Sequence, residues 1–412
     1  MSFVQPRTWG YSVPAALLLM APFDILASLA MDIYLPVVPA MPGILRTTPA
    51  VVQLTLALYM VTLGLGQILF GPLSDRFGRR PVLIGGALLF ATASLLLAMT
   101  TSAPIFVGLR FLQGMGASAA LVATFATVRD IYAEKPEGTV IYGMFSSILA
   151  FVPALGPITG AILANSYGWR AIFVTLAVLA AAALAHAWLR WPETRTVNGP
   201  AQQAAFRRIL GSFTFWTYTL GFSTAMGAFF VFFSTAPRVL IGQAGFSEMA
   251  FSVAFATVAL LMVLTTRLAR APIARWGIPG SLARGMGTII FGAVLLMAGQ
   301  LLWTASFWTF VLPMWIIAIG MIFTVSVTAN GALQEFGAMA GTAVALHFCV
   351  QSVIVAGAGT VLVVLLDGDT AWPLIAYCSI MASVTLTALA RLHWAKILLG
   401  RCNHLHLHRD IE

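Results

Sequence analysis

Two aspartates lie within the first long apolar stretch of the chain, Pro14 to Pro39. An ionisable side chain near the centre of a bilayer costs about 2.5–3.5 kcal/mol on insertion scales, so such groups are rare and face the protein interior or a water-filled path. Eight residues of α-helix rise about 12 Å and return to within about 80° of the same face. Asp24 and Asp32 are therefore expected on one broad interior face at two depths. A position of Asp32 at the outer water interface is the alternative.

These groups could bind and release protons. A carboxyl group among apolar side chains favours its neutral form because burial disfavours the charge, whereas a nearby arginine favours the charged form. Arg110, within IFVGLRFLQGMGA, is the only lysine or arginine deep inside an apolar stretch. Asp24 and Asp32 with Arg110 could form a cavity in which protonation and ligand binding compete. Tyr59 and Met60, in the next apolar stretch, are further candidates for its lining.

The composition indicates an integral membrane protein. Of 412 residues, 60% are hydrophobic and 8% are charged, whereas a soluble domain carries about 25% charged residues. A helix needs about 20 apolar residues to cross a bilayer, and such runs predict twelve transmembrane helices. The uncharged run from Gly285 to Gln334 holds two of them, separated by Trp303–Phe307. The predicted fold class is all-α integral membrane. The cysteines show no metal-ligand spacing, so no metal site is predicted.

The distribution of positive charge predicts the orientation of the chain. A formal net charge of +9 would also fit a nucleic-acid-binding protein, but the positive-inside rule explains it without such a partner. With the N-terminus in the cytoplasm, 18 of the 22 lysine and arginine residues fall on the inner side, three fall on the outer side, and Arg110 lies in a span. Both termini are therefore expected in the cytoplasm, and no nucleic acid partner is expected.

The chain is expected to contain two six-helix halves. We predict a first half at 1–190, a cytoplasmic linker at 191–212, a second half at 213–395 and a cytoplasmic tail at 396–412. The segment Ala274–Gly277 (ARWG) in the second half is a degenerate copy of Asp75–Gly78 (DRFG) in the first. This similarity indicates an internal repeat with parallel halves.

The densest group of charges follows the second predicted span, in GPLSDRFGRRPVL from Gly71 to Leu83. Glycine permits backbone conformations that other residues resist, so Gly71 and Gly78 are expected to make this segment a tight loop. Asp75 can pair with a cation or a helix N-terminus. The loop also carries three arginines that can bind carboxylates or lipid phosphates, namely Arg76, Arg79 and Arg80.

The pattern G-x-x-x-D-R-x-G-R-R in this loop resembles the signature of the major facilitator superfamily, which lies between spans 2 and 3. The segment Leu109–Ala117 is similar to that family's span 4 motif, whose arginine faces the transport path. Gly156, Pro157 and Gly160 resemble the span 5 motif G-P-x-x-G of the drug:proton antiporter branch, where small residues let spans of opposite halves approach closely. The resemblance implies the twelve-span major facilitator fold.

The resemblance also implies roles for the charged residues in the spans. Related multidrug exporters of this branch carry two acids in span 1 at the same separation, so Asp24 and Asp32 are the expected proton carriers. Arg110 is expected to orient these acids and to contact the drug. Asp24 is expected to take part in drug binding as well.

At the inner loop, the resemblance implies a conformational latch. Arg79 is expected to pair with Asp130 at the inner end of span 4. Asp75 is expected to face the start of a second-half helix, because helix N-termini favour anions. The predicted latch comprises Gly71, Asp75, Arg76, Gly78, Arg79, Arg80 and Asp130.

Within the antiporter branch, the chain is similar to the phenicol exporters, which remove chloramphenicol or florfenicol. The similarity is nearly end to end and is clearest in residues 22–42, 128–143, 229–244 and 324–333. It implies efflux across the bacterial inner membrane by a monomer in a lipid bilayer. The proton gradient would supply the energy, and no cofactor is expected.

Three alternatives stay open. A broader multidrug:proton antiporter would have the same fold and the same acids. Uptake symport of a metabolite would share the fold, but Gly156 and Pro157 resemble the antiporter motif instead. A membrane enzyme or receptor would belong to a different class. The sequence argues against that class because it shows no nucleophile–base set, no metal-ligand spacing and no soluble domain of useful size.

Overall fold

The computed structural model describes residues 9–132, 135–195, 202–336 and 339–409. Within these ranges the chain is almost entirely helical and contains no strand, and 11 helical segments are long and apolar enough to cross a membrane. The 32-residue helix Pro136–Tyr167 occupies the place of the fifth predicted span and exceeds the length of about 20 residues that a bilayer requires. The described residues thus agree with the predicted all-α class and its twelve spans.

The first half follows the predicted order of spans. Its first span combines α1 with a short 3₁₀-helix and a one-turn helix, α2, and the other five spans are single helices. The bounds are Val13–Asp32 for α1, Leu35–Ala40 for the 3₁₀-helix, Met41–Ile44 for α2, Pro49–Phe77 for α3, Arg79–Met99 for α4, Ala103–Tyr132 for α5, Pro136–Tyr167 for α6 and Arg170–Arg190 for α7.

The second half contains the remaining spans and two short π-helical turns, which lie at the opposite ends of the helices from Gly78 and Gly277. The bounds are Gln202–Leu210 for α8, Phe213–Pro237 for α9, Arg238–Gln243 for the first π-turn, Glu248–Leu268 for α10, Arg270–Leu302 for α11, Phe307–Val311 for the second π-turn, Leu312–Leu333 for α12, Ala340–Leu365 for α13 and Trp372–Arg409 for α14.

The linker and the tail differ from their predicted form. The segment predicted as linker contains α8, a short helix in which Ile209 is buried while Arg207 and Arg208 are exposed. The apolar part of the last span ends at Trp394, next to the predicted boundary at 395, but α14 continues as one helix to Arg409 through residues predicted as the tail. No proline interrupts that stretch, so the backbone ladder can continue beyond the apolar part. Residues 196–201 of the linker and 410–412 of the tail lie outside the described ranges.

The backbone shows the internal repeat at the inner loops. Gly78 has φ +106°, and Gly277, its counterpart in the degenerate copy, has φ +65°. Both values are in the region that glycine adopts far more readily than other residues. Gly71 does not form part of this turn, contrary to the prediction, because α3 runs through it to Phe77. The chain reverses at one residue, Gly78, so a second flexible glycine is not required.

Helix packing repeats the same relation in the two halves. In the first half, a Cβ added to Gly86 of α4 would lie 2.8 Å from the carbonyl oxygen of Gly116 in α5. In the second half, a Cβ added to Gly285 of α11 would lie 2.8 Å from the carbonyl oxygen of Gly320 in α12. Spans 3 and 4 thus approach as closely as spans 9 and 10, as small residues allow in membranes.

The two halves meet along the helix pairs α3–α13 and α6–α10. Near the start of α3, Nε2 of Gln53 donates a buried hydrogen bond of 3.0 Å to Oγ of Ser234 in α9. Further along α3, Gly64 packs directly against Ser352 of α13. The 3₁₀-helix after α1 also contacts α9 and α10, so the end of the first span is held between helices of the second half.

Candidate functional site

Arg110 is the centre of a buried polar cluster in the first half, where its side chain is 0% exposed. Its Nη1 donates to the carbonyl oxygen of Ala30 in α1 at 3.2 Å and to Oε1 of Gln113 at 2.6 Å. The guanidinium carbon lies 4.6 Å from the ring centre of Tyr59 and 5.3 Å from that of Tyr34. Such cation–π contacts are worth about 2 kcal/mol when the cation is desolvated, so the two rings stabilise a charge that water does not reach.

Hydrogen bonds tie this group to the neighbouring helices. Nε2 of Gln113 donates to Oγ of Ser94 in α4 at 2.8 Å, and the hydroxyl of Tyr59 donates to the carbonyl oxygen of Ala27 in α1 at 2.7 Å. The group therefore joins α1, α3, α4 and α5. We call it the Arg110 cluster and define it as Tyr34, Tyr59, Ser94, Arg110 and Gln113.

Both acids of α1 are buried, with Asp24 4% and Asp32 5% exposed. The alternative of an Asp32 exposed at the outer surface is therefore not supported. Oδ2 of Asp24 is buried and has no hydrogen-bond partner among the described residues. Asp32 is the last residue of α1, and its Cβ lies against Gly156 of α6. Burial without a partner is the setting in which a charge is most costly, and groups in such settings are candidates for function.

Arg110, which is expected to orient the two acids, pairs directly with neither of them among the described residues. Among the described residues, no ion pair within 4.0 Å joins Arg110 to Asp24 or Asp32. Instead, Arg110 and Tyr59 bind backbone carbonyls of α1 at positions between the acids. The planar guanidinium is held by two ring faces and an amide, which fixes its direction. Its Nε and Nη2 are buried without a hydrogen-bond partner, so these donors can serve a ligand.

Of the two predicted lining residues, the structure places Tyr59 in the Arg110 cluster. Met60 is half-buried and packs against the apolar core, because successive residues of a helix point about 100° apart. Tyr34 and Ser94 were missed from the sequence, since a single hydroxyl in an apolar run gives no distinctive signal. Gln113 lies in the span 4 motif, and its amide in an apolar helix was the available signal.

The G-P-x-x-G segment of α6 packs mainly on α1 of its own half. A Cβ added to Gly160 would lie 2.0 Å from the carbonyl oxygen of Ile33, and one added to Gly156 would lie 2.7 Å from Cβ of Asp32. The expectation that these glycines let spans of opposite halves approach closely is therefore wrong, because they lie one turn apart on the face toward the first span of their own half. Pro157, about 100° around the helix, faces the second half, where its carbonyl accepts a 3.0 Å hydrogen bond from Ser252 of α10.

At the inner end of the first half, Arg79 is 2% exposed and fully engaged. Its Nε donates to Oδ2 of Asp130 at 2.7 Å, and its Nη1 donates to Oγ of Ser74 at 2.6 Å and to Oδ1 of Asp75 at 2.5 Å. The predicted pair of Arg79 with Asp130 is confirmed. The expected contact of Asp75 with a second-half helix is not among its described contacts, since its carboxylate binds Arg79. These bonds join α3, α4 and α5 of one half.

Glu193, just after α7, completes this arrangement and was missed from the sequence. Its carboxylate accepts hydrogen bonds from the backbone N–H groups of Arg79 at 2.8 Å and Arg80 at 3.2 Å. These are the first residues of α4, so the acid satisfies free donors at a helix N-terminus and complements its dipole. The available signal was an acid in WPETR directly after an apolar span. We define the inner-loop cluster as Ser74, Asp75, Arg79, Asp130 and Glu193.

Other residues of the predicted latch lie at the edge of this cluster. Arg76 is exposed, and its guanidinium carbon lies 5.3 Å from the ring centre of Phe77. The carbonyl oxygen of Arg76 accepts a 2.6 Å hydrogen bond from Nη1 of Arg195. Nη2 of Arg80 donates to the carbonyl oxygen of Trp188 at 2.8 Å. Both arginines thus connect the loop to the end of α7 and the segment after it.

A family model described as the Major Facilitator Superfamily matches residues 23–391. The chain belongs to this superfamily. It is 50% identical over 380 residues to a chloramphenicol resistance protein of Pseudomonas aeruginosa, covering 92% of this chain and 91% of the relative. It is 28% identical over 352 residues to multidrug resistance protein D of Escherichia coli (strain K12), covering 82% of this chain and 85% of that protein.

Solved structures of transporters share the fold at low sequence identity. A crystal structure of a D-xylose-proton symporter matches with a TM-score of 0.72 and 17% identity, covering 92% of this chain and 97% of that one. At this identity the likeness shows the fold alone. The protein is thus a multi-pass membrane protein of a transporter superfamily.

Proposed function

We propose that this protein exports phenicol antibiotics, chloramphenicol first, in exchange for protons across the bacterial inner membrane. One observation carries the proposal: a chain half identical to a chloramphenicol resistance protein over 92% of its length buries two carboxyl groups in its first span. The relative supports the drug class. The buried acids support proton coupling, because acidic residues inside membrane spans commonly mark proton relays.

In this proposal, Asp24 and Asp32 take up and release the proton, and Asp24 also competes with the drug. Arg110 offers its two unpartnered buried donors, Nε and Nη2, to polar groups of the drug. Tyr59 presents its ring beside the guanidinium, and its bond to α1 links the drug position to the helix that carries the acids. Met60 is a further lining candidate where the cavity opens during transport.

The energetics of such an exchange allow a substantial drug gradient. An uncharged drug that leaves as one proton enters moves one net charge, and each 100 mV then supplies about 2.3 kcal/mol. That energy corresponds to a drug gradient of roughly forty-fold, since about 1.4 kcal/mol is a factor of ten. The proton gradient is the proposed energy source, and the proposal needs no cofactor, no second subunit and no nucleic acid.

Drug uptake into inverted vesicles tests this proposal. Vesicles from a host without its own exporters should accumulate chloramphenicol when the lumen is acidified, and collapse of the gradient should abolish the accumulation. Vesicles with the same amount of Asp24→Asn protein are the matched control for the acid. Accumulation that persists after the proton gradient is collapsed would overturn proton coupling.

A broader multidrug:proton antiporter is the second candidate, and the similarity to multidrug resistance protein D over 82% of the chain favours it. The discriminating experiment is growth of an exporter-deficient host on chloramphenicol, florfenicol, cationic dyes and sugars. Resistance confined to the phenicols supports the first candidate. Resistance that extends to the dyes supports the second.

A further inference from the structure

A cavity of about 260 Å³ lies between the halves at the end of the molecule where the first span turns into the second. The first half contributes three prolines, two valines and Gln53 to its wall. The second half contributes Arg238, Gly242, Gln243 and Asp369, from the first π-turn and the turn between α13 and α14. One wall is thus largely apolar and the opposite wall is polar, which is the usual composition of a small-molecule site.

The charges in the polar wall compensate each other. Nε of Arg238 donates to Oδ1 of Asp369 at 2.6 Å, and its Nη2 lies 3.8 Å from Oδ1 of Asp367, which is outside the cavity wall. The cavity wall thus carries a paired arginine and not a single positive charge. An anionic ligand would have to compete with Asp369 for the guanidinium, and a cationic ligand would have to compete with Arg238 for the carboxylate. The wall therefore favours an uncharged ligand that both donates and accepts hydrogen bonds.

The polar groups are held in place before any ligand arrives. A Cβ added to Gly368 would lie 2.2 Å from Nη1 of Arg238, so the turn between α13 and α14 packs directly on the guanidinium. The hydrogen bond from Gln53 to Ser234 uses the amide nitrogen of Gln53. The same bond fixes the orientation of the side-chain carbonyl oxygen. Groups fixed in this way lose little conformational entropy when a ligand binds.

The cavity is separate from the Arg110 cluster. None of the five residues that define the cluster lines it. Gln53 precedes Tyr59 by six residues of α3, which is a rise of about 9 Å along the helix. A molecule in the cavity would therefore lie closer to the outer end of α3 than one bound beside Arg110.

We propose that this outer cavity is a second binding site, which holds an uncharged amphiphilic drug after it leaves the Arg110 cluster and before its release. The proposal rests on the proposed export of phenicols and adds a place on the exit path. Its apolar wall would take the aromatic part of the drug. Gln53, Gln243 and the Arg238–Asp369 pair would bind its hydroxyl and amide groups.

Site-directed labelling tests the proposal. Gly242→Cys places a thiol in the cavity wall, at an exposed position where an added Cβ has no neighbour within 4 Å. The matched control is Ser102→Cys, at an exposed position between α4 and α5 outside the cavity. Both are made in a background without the native cysteines. They are labelled with a membrane-impermeant maleimide in nanodiscs, with and without chloramphenicol.

We expect the labelling rate at position 242 to fall about tenfold when chloramphenicol is present at about ten times its dissociation constant, while the rate at position 102 stays unchanged. The protection should persist when Arg110→Ala is added, because the outer cavity binds by its own groups. Protection that disappears with Arg110→Ala would mean that the label reports a distant conformational change, and it would overturn the proposal.

Vesicle transport by the same cysteine variant separates this proposal from the proposed function. Active transport of chloramphenicol without protection at position 242 would overturn the outer site alone. Absence of transport by the unsubstituted protein would overturn the proposed function, and the outer exit site with it. As a second variant, Gly242→Trp fills the cavity and should slow export, whereas Ser102→Trp should not. Equal transport by the two tryptophan variants would contradict the proposal.

Discussion

At the scale of single residues, the two acids of α1 are equally buried, which changes what their replacement should do. From sequence, Asp32 is nearer the outer end and could be partly redundant. In the structure, both acids are almost fully buried, and Gly156 of α6 packs against Cβ of Asp32. We therefore predict that Asp24→Asn and Asp32→Asn each abolish gradient-driven accumulation, a loss of up to about forty-fold in drug ratio.

The measurement is chloramphenicol uptake into inverted vesicles at matched protein levels. Asparagine keeps the shape of the side chain but cannot titrate, so drug binding should persist in both variants while the gradient no longer drives transport. Arg110→Ala should lose drug binding at the Arg110 cluster as well, because it removes the buried donors and the cation held by Tyr34 and Tyr59. Wild-type accumulation in Asp24→Asn would place the proton site elsewhere.

A second prediction at this scale concerns Arg79. Arg79→Ala would leave Asp130 buried without its partner, at a cost of about 3–5 kcal/mol of folding stability. The matched control is Arg129→Ala, because Arg129 contacts the same acid at 3.7 Å but is 56% exposed. An exposed pair contributes about 0–1 kcal/mol. Thermal unfolding in detergent compares the two variants, and equal losses would refute the special role of the buried pair.

At the scale of elements, the contact between α1 and α6 depends on residues without a side chain. Gly160→Ala would bring a Cβ to 2.0 Å from the carbonyl oxygen of Ile33, so α6 must move away from the helix that carries the acids. We predict a loss of about 1–3 kcal/mol in stability, as for overpacked cores, together with impaired transport.

Gly143→Ala is the matched control in the same helix, because nothing lies within 4 Å of an added Cβ there. Alanine has a higher helix propensity than glycine by about 1 kcal/mol, so this variant should be unchanged or slightly more stable. Thermal unfolding and vesicle uptake are measured for both variants. Normal stability and transport in Gly160→Ala would show that α1 and α6 are not held at the distance seen here.

At the scale of the whole molecule, the charge distribution predicts an orientation in which both termini and the linker are cytoplasmic. Single cysteines in a cysteine-free background test it in intact cells with an impermeant maleimide. A cysteine at position 203, in α8, should label only after the membrane is permeabilised, whereas one at position 102, between spans 3 and 4, should label from outside. Strong labelling of position 203 in intact cells would reverse the assignment.

The sequence by itself determined the class of the molecule and the identity of its charged centres. Long runs without charge require helices in a bilayer, since an unpaired backbone group in hydrocarbon costs several kcal/mol. A charged residue in such a run is rare enough to stand out, which is why Asp24, Asp32 and Arg110 could be selected without a structure. The Arg79–Asp130 pair was also within reach because the family resemblance implies it, and the repeat of Gly78 at Gly277 because a short motif recurs.

Only the tertiary structure decided which of these residues meet. Spacing along a helix gives the direction of a side chain but not the neighbouring helix, so the faces of Gly156 and Gly160 were assigned to the wrong partner. For the same reason, the sequence did not show that two tyrosine rings and the backbone of α1 hold Arg110. Glu193 reaches the start of α4 across more than 100 residues of sequence, and contacts of that kind arise from packing that no local pattern records.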